Sequence, residues 1–87
     1  MTTINIHITE LKPRTEREMK DAAWKINNWG LCTKTSKIVA EEIDGEYVIY
    51  DGHYRFSSWM KMPVNYIDII VIENETWGEL EKLGIVE

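Results

Sequence analysis

The sequence predicts an α+β domain with a small mixed β-sheet in the order β-α-β-β-α-β-α, and three observations carry that prediction. Ile4, Ile6 and Ile8 alternate with polar residues, the period of a half-buried strand. Apolar residues between positions 16 and 29 recur at helical spacing. Two runs rich in β-branched and aromatic residues are joined by Asp44-Gly45, a pair that favours a tight hairpin. With 87 residues, 44% of them hydrophobic, residues 1–87 suit one domain with one core.

The first strand is expected over residues 4–8. Pro13 bars its continuation, and Thr15 can cap a helix in which Glu18 completes a capping box. The helix then starts near residue 16. Met19, Ala22, Ala23, Ile26 and Trp29 form its apolar stripe, and Gly30 supplies a left-handed stop. The hairpin uses residues 37–43 and 46–50, with Asp44 and Gly45 taking the positive φ angles of a type I′ turn. A short second helix is expected over residues 53–61, ended by Pro63. The run Ile69-Ile70-Val71-Ile72 is apolar on both faces, which suits an interior strand. Asn74 or Thr76 can cap a last helix containing Trp77, Leu80 and Leu83, with Gly84 beyond it. About three of the four Trp residues are expected in the core, Trp59 and Trp77 first among them.

Ten Lys and Arg against 15 Asp and Glu leave a net charge of −5, which opposes broad adhesion to DNA or an anionic membrane. The charge is uneven. Residues 1–37 hold seven basic and four acidic side chains, net +3, while residues 38–87 hold three and eleven, net −8. No run approaches the length of a membrane span, and Met1-Thr2-Thr3 opens no signal peptide. A cytoplasmic protein is expected. Cys32 is the single cysteine, so no internal disulfide can form, and its expected role is structural.

Chemistry points to Tyr50-Asp51-Gly52-His53-Tyr54-Arg55, at a strand-to-helix turn. Gly52 lets backbone approach a ligand, the unpaired N–H groups opening the helix favour an anion, and Arg55 can contact phosphate with two donors. Asp51 and His53 offer acid-base groups. The same residues also fit a plainer role: Asp51 as helix cap, Gly52 as turn residue, His53 as a solvated side chain and Arg55 as a partner for acidic surface.

Taken with its surroundings, this turn resembles the ParB N-terminal and sulfiredoxin superfamily. The segment Ile8-Thr9-Glu10-Leu11-Lys12-Pro13, the helix ending in Gly30-Leu31, the hairpin, Asp51-Gly52-His53-Tyr54-Arg55 and Met62-Pro63-Val64 follow its order over roughly residues 4–72. ParB proteins read Gly-Glu-Arg-Arg at this turn and sulfiredoxins Gly-Cys-His-Arg. A third branch, which includes free-serine kinases, reads Asp-Gly-His-His-Arg, and the present chain matches it with Tyr54 in place of the second His.

The resemblance implies a pocket for ATP, ADP or CTP with Mg²⁺, or for another phosphorylated small molecule. Gly52 and the amides of His53 and Tyr54 would contact phosphate, with Arg55 and Lys12 neutralising it. Asp51, His53 and Glu16 would be the groups for proton or metal work in phosphate hydrolysis or transfer. Glu16 fits equally well as a solvated first-turn residue. His53 stands where sulfiredoxins have their Cys, so sulfiredoxin activity is not expected. Glu73-Asn74-Glu75-Thr76 departs from the Glu-Asn-Leu-Gln-Arg motif that follows the domain in ParB, so direct DNA binding is not expected either. The alternative is a non-enzymatic acidic regulator or inhibitor of a cellular protein. Glu41, Glu42, Asp44 and Glu46, with Glu73, Glu75, Glu79 and Glu81, would then meet a basic partner or imitate nucleic-acid charge.

Overall fold

The computed structural model describes residues 1–86. Its elements are β1 (Thr2–His7), a 3-10 turn (Ile8–Glu10), β2 (Leu11–Lys12), α1 (Glu16–Trp29), β3 (Ile38–Ile43), β4 (Glu46–Asp51), α2 (His53–Met60), β5 (Tyr66–Ile72) and α3 (Trp77–Lys82). The α+β class and the expected order of major elements are found, with one addition. Between β1 and α1 the chain makes a tight turn, then lays down the two-residue β2 at the far edge of the sheet.

That detour is locally encoded. His7 caps the 3-10 turn: its Nδ1 accepts from the Thr9 N–H at 3.3 Å, while Glu10 accepts from the His7 N–H at 2.9 Å. This is a reciprocal capping box. The one expected at Thr15 is only half formed. Thr15 Oγ1 accepts from the Glu18 N–H at 3.2 Å, but the Glu18 carboxylate turns to Arg14 and His53.

The five strands lie in the order β1-β5-β3-β4-β2. β1 runs antiparallel to β5, with Ile4 opposite Ile69. β5 is parallel to β3, as the α2 crossover between the hairpin and β5 permits. β3 and β4 form the antiparallel hairpin, and β2 adds in parallel to β4. Asp44 and Gly45 have φ of 51° and 80°, the expected turn. The run Ile69–Ile72 is interior, as its two apolar faces require. On one face of the sheet Ile6, Ile38, Ala40, Ile49, Ile67 and Ile69 pack with Phe56 of α2. On the other, Val39 and Ile72 meet Leu80 of α3 and Val86. Ile38, Ile49 and Ile69 are fully buried, each contributing roughly 1.5–3 kcal/mol.

The tryptophans depart from expectation, for none of the four is buried. Trp24 and Trp29 are 56% and 64% exposed and Trp77 is 38% exposed, while Trp59 packs half-buried against the main core. Ala22 is the buried residue of α1. Trp24 lies two positions on, about 200° around the helix, and so points away. Trp29 sits in the last turn, where its ring meets Trp24 edge to face at 5.5 Å instead of the sheet. Trp77 opens α3 one turn before the buried Leu80, and its ring leans on Tyr50 at 5.8 Å.

Candidate functional site

The turn from β4 into α2 forms the floor of a cleft of about 330 Å³. Gly52 has φ 116° and ψ 24°, a left-handed conformation that side chains rarely adopt. A Cβ there would stand 3.1 Å from Ile38 Cγ1, so glycine is required twice over. No side chain caps α2, and no acidic residue occupies its first turn. These first-turn N–H groups give the cleft floor a positive electrostatic character.

Arg55, in that first turn, is 8% exposed. Its Nη1 donates to Ser36 O at 2.8 Å, Ser36 Oγ at 2.7 Å and Lys37 O at 2.9 Å. Its Nη2 donates to Asp51 Oδ2 at 3.3 Å. Arg55 therefore pins the segment entering β3 onto α2, and Asp51 serves as its counter-charge. Both groups border the cleft, yet most of their bonding is directed inward to the protein itself.

His53 is likewise engaged at both ring nitrogens. Nε2 accepts from the Arg14 backbone N–H at 3.1 Å, so the ring proton lies on Nδ1, which donates to Glu18 Oε2 at 2.8 Å. Burial pushes the His53 pKa below its ordinary value, against the opposing pull of Glu18. His53 is thus a neutral strut joining the start of α1 to the start of α2. Glu18 also accepts from Arg14 Nε at 2.9 Å, and this bond holds its carboxyl below the usual range.

Lys12 and Glu16 fall outside the cleft. Lys12 is exposed on edge strand β2, and Glu16 is exposed on another side of α1. The carboxylate that α1 brings to the cleft is Glu18, with Asp21 beyond it and Arg14 and Lys25 at either end. Positions 18, 21 and 25 are one helical stripe, and Arg14 stands just before the Thr15 cap. That stripe was visible in the sequence as charged residues spaced by three or four. Position 16 lies about 200° around the helix from position 18.

Tyr54 lines the cleft as well. Its hydroxyl donates to Gly30 O at 2.5 Å, its ring meets Trp29 at 6.4 Å, and Lys25 Nζ lies 5.8 Å from its centroid and 5.9 Å from that of Trp29. Tyr50 and Trp77 also line the cleft, with the Arg14 guanidinium 5.5 Å from the Tyr50 ring centre. Cys32 lines the cleft too, and its backbone N–H donates to Ser58 Oγ at 2.8 Å. Four cationic side chains, Arg14, Lys25, Lys34 and Arg55, border the cleft against three carboxylates, Glu18, Asp21 and Asp51. This local excess of positive charge contrasts with the chain's overall −5.

No helix among the described residues is long and apolar enough to cross a membrane. No family model matches the chain, and no curated protein matches it. Solved structures do. A sulfiredoxin from Arabidopsis thaliana superposes with a TM-score of 0.55 at 17% identity, over 94% of this chain and 96% of that one. A C-terminally truncated chromosome-partitioning protein ParB from Caulobacter crescentus, complexed with CTP-gamma-S, gives 0.57 at 19% identity over 94% of this chain. A free serine kinase in complex with AMP gives 0.54 at 18% identity over 86%. The chain spans half of that ParB structure and 32% of that kinase. With its five-stranded mixed sheet and the α2 turn in place, the chain has the ParB/sulfiredoxin-like fold.

Proposed function

We propose that this domain binds a nucleotide or another phosphorylated small molecule, with phosphate resting on the Gly52, His53 and Tyr54 amides. The observation that carries this reading is the uncapped start of α2, opening on left-handed Gly52 at the floor of a cation-rich cleft. The fold adds support, because neighbours sharing it are seen with CTP-gamma-S, AMP and ADP. The cleft volume of about 330 Å³ lies at the small end of the range for ligand pockets. Among the described residues no three His, Cys, Asp or Glu side chains gather to hold a metal ion. With Asp51 bonded to Arg55 and His53 held between Arg14 and Glu18, the site favours binding over turnover.

Titration of the ¹⁵N-labelled protein with AMP, ADP, ATP and CTP, each with and without Mg²⁺, tests this. Saturable amide shifts centred on residues 51–56 are expected for at least one nucleotide. Their absence at millimolar concentration of all four would overturn the reading.

A protein partner is the second reading, favoured by Trp24 and Trp29, which are 56% and 64% exposed, because aromatic residues anchor interfaces. Here a stoichiometric partner retained by the intact chain and lost on Trp24→Ser is expected. Equal recovery by both would remove the tryptophan from the argument.

A further inference from the structure

Resting on the proposed nucleotide or phosphate ligand, we infer that Lys25, not Arg55, is the side chain that meets the ligand's phosphate. Tyr54 and Trp29 form the aromatic seat that aims it. The basis is where each cation's donors already point. Arg55 Nη1 serves three oxygens of Ser36 and Lys37, and Nη2 serves Asp51. Turning that guanidinium to a ligand would break four hydrogen bonds that a buried side chain already makes, a substantial cost. Arg14 is also engaged, through two bonds to the Glu18 carboxylate at 2.9 and 3.3 Å.

Lys25 lines the same cleft, and no ion pair among the described residues engages it. What holds it is a pair of rings, with Nζ at 5.8 Å from the Tyr54 centroid and 5.9 Å from that of Trp29. A ring quadrupole attracts an ammonium but cannot neutralise it as a carboxylate does. The charge therefore remains available to an anion, while the flexible stem is already confined, which lowers the ordering cost of binding. The Tyr54 half of the seat is anchored, because its hydroxyl donates to Gly30 O at the end of α1. Tyr54 also contributes its backbone N–H to the first turn of α2. One residue thus links the amide floor to the cation above it. A compact phosphate oxygen, able to take the amides on one side and an ammonium on the other, is the chemistry this pairing recognises.

The experiment compares ADP with adenosine and inorganic phosphate against the wild-type domain, Lys25→Gln and Lys25→Arg, by amide shift titration and the Trp29 indole Nε1–H resonance. ADP affinity is expected to fall about tenfold or more in Lys25→Gln, the scale of one charge-assisted hydrogen bond. It is expected to recover largely in Lys25→Arg, whereas any adenosine affinity stays unchanged in both. The Trp29 indole resonance should move when ADP binds to wild type and stay still in Lys25→Gln. If wild type binds ADP and Lys25→Gln binds it equally well, the inference falls and the nucleotide reading stands. If wild type binds none of AMP, ADP, ATP, CTP and phosphate, both fall together. Unchanged amide shifts away from the cleft establish that Lys25→Gln is folded.

Discussion

On one side of the first turn of α2, Arg55 reaches inward and ties Ser36 and Lys37 to the helix with a buried guanidinium. On the other side, His53 and Tyr54 face α1, and the contacts there run through a titratable ring, an exposed tryptophan and a lysine seated on aromatic faces. Both sides border the same cleft and both carry cations. The difference lies in commitment: the buried side is saturated by its own chain and fixes the turn, while the α1 side holds its groups in arrangements that a ligand or a proton can change. A cation's residue type therefore says less about ligand contact than its unspent donors do.

The largest expected effect lies on the saturated side. Arg55→Ala removes four hydrogen bonds and leaves Asp51 without its partner, so urea unfolding should lose about 3 kcal/mol of stability, the upper scale for hydrogen bonds to a charged group. Arg55→Lys should restore only a small part, because three ammonium donors cannot reproduce the guanidinium fork. A loss under about 1 kcal/mol would put Arg55 in the class of surface pairs and undo the contrast between the two sides.

A smaller effect is expected at the floor they share. Gly52→Ala must hold φ near 116° and place a Cβ 3.1 Å from Ile38 Cγ1, so a loss of about 1–3 kcal/mol is expected. Chemical denaturation gives the value, and amide shifts at Ile38 should accompany it. A neutral result would mean that the turn relaxes freely, and that its amides are not pre-organised for an anion.

Much of this was legible from the residues in isolation. The Asp44-Gly45 hairpin, the Thr15 cap and the left-handed Gly30 each depend on local chemistry that a short window contains. The two-residue β2 was not legible, since Leu11-Lys12 becomes a strand only by pairing with Tyr47 and Val48. At the site, the Gly52 turn could be read because its requirement is a backbone one. Arg55 could not, because what occupies its donors is Ser36 and Lys37, nearly twenty residues earlier in the chain. Glu18 could have been found in place of Glu16 by following the charged helical stripe 18, 21 and 25. Trp77 was misjudged as a core residue, and Trp59 is only half-buried, because composition counts apolar side chains without saying how much sheet there is to cover.

The smallest predicted effect belongs to the α1 side and is driven by protons. His53 has its pKa depressed by burial and Glu18 has its own depressed by Arg14. For each, the folded state binds fewer protons than the unfolded one, so the stability they contribute is present at higher pH and lost as pH falls. The His53 share is whole above its ordinary value of 6.5 and fades as pH drops through that value toward the lower folded one. The Glu18 share follows only below 4.5. Protonating His53 places a hydrogen on Nε2, where the Arg14 N–H now donates, and the loss of that bond is worth about 1 kcal/mol. Between pH 7 and pH 5, then, exchange of the Arg14 amide, corrected for intrinsic pH dependence, should become less protected while that of Ile38, beside the Arg55 clamp, holds steady. His53→Gln should abolish the differential response. Were the Arg14 and Ile38 amides to respond in parallel in wild type, the two sides of the turn would be one cooperative unit, and the division between a fixed wall and an adjustable one would fail.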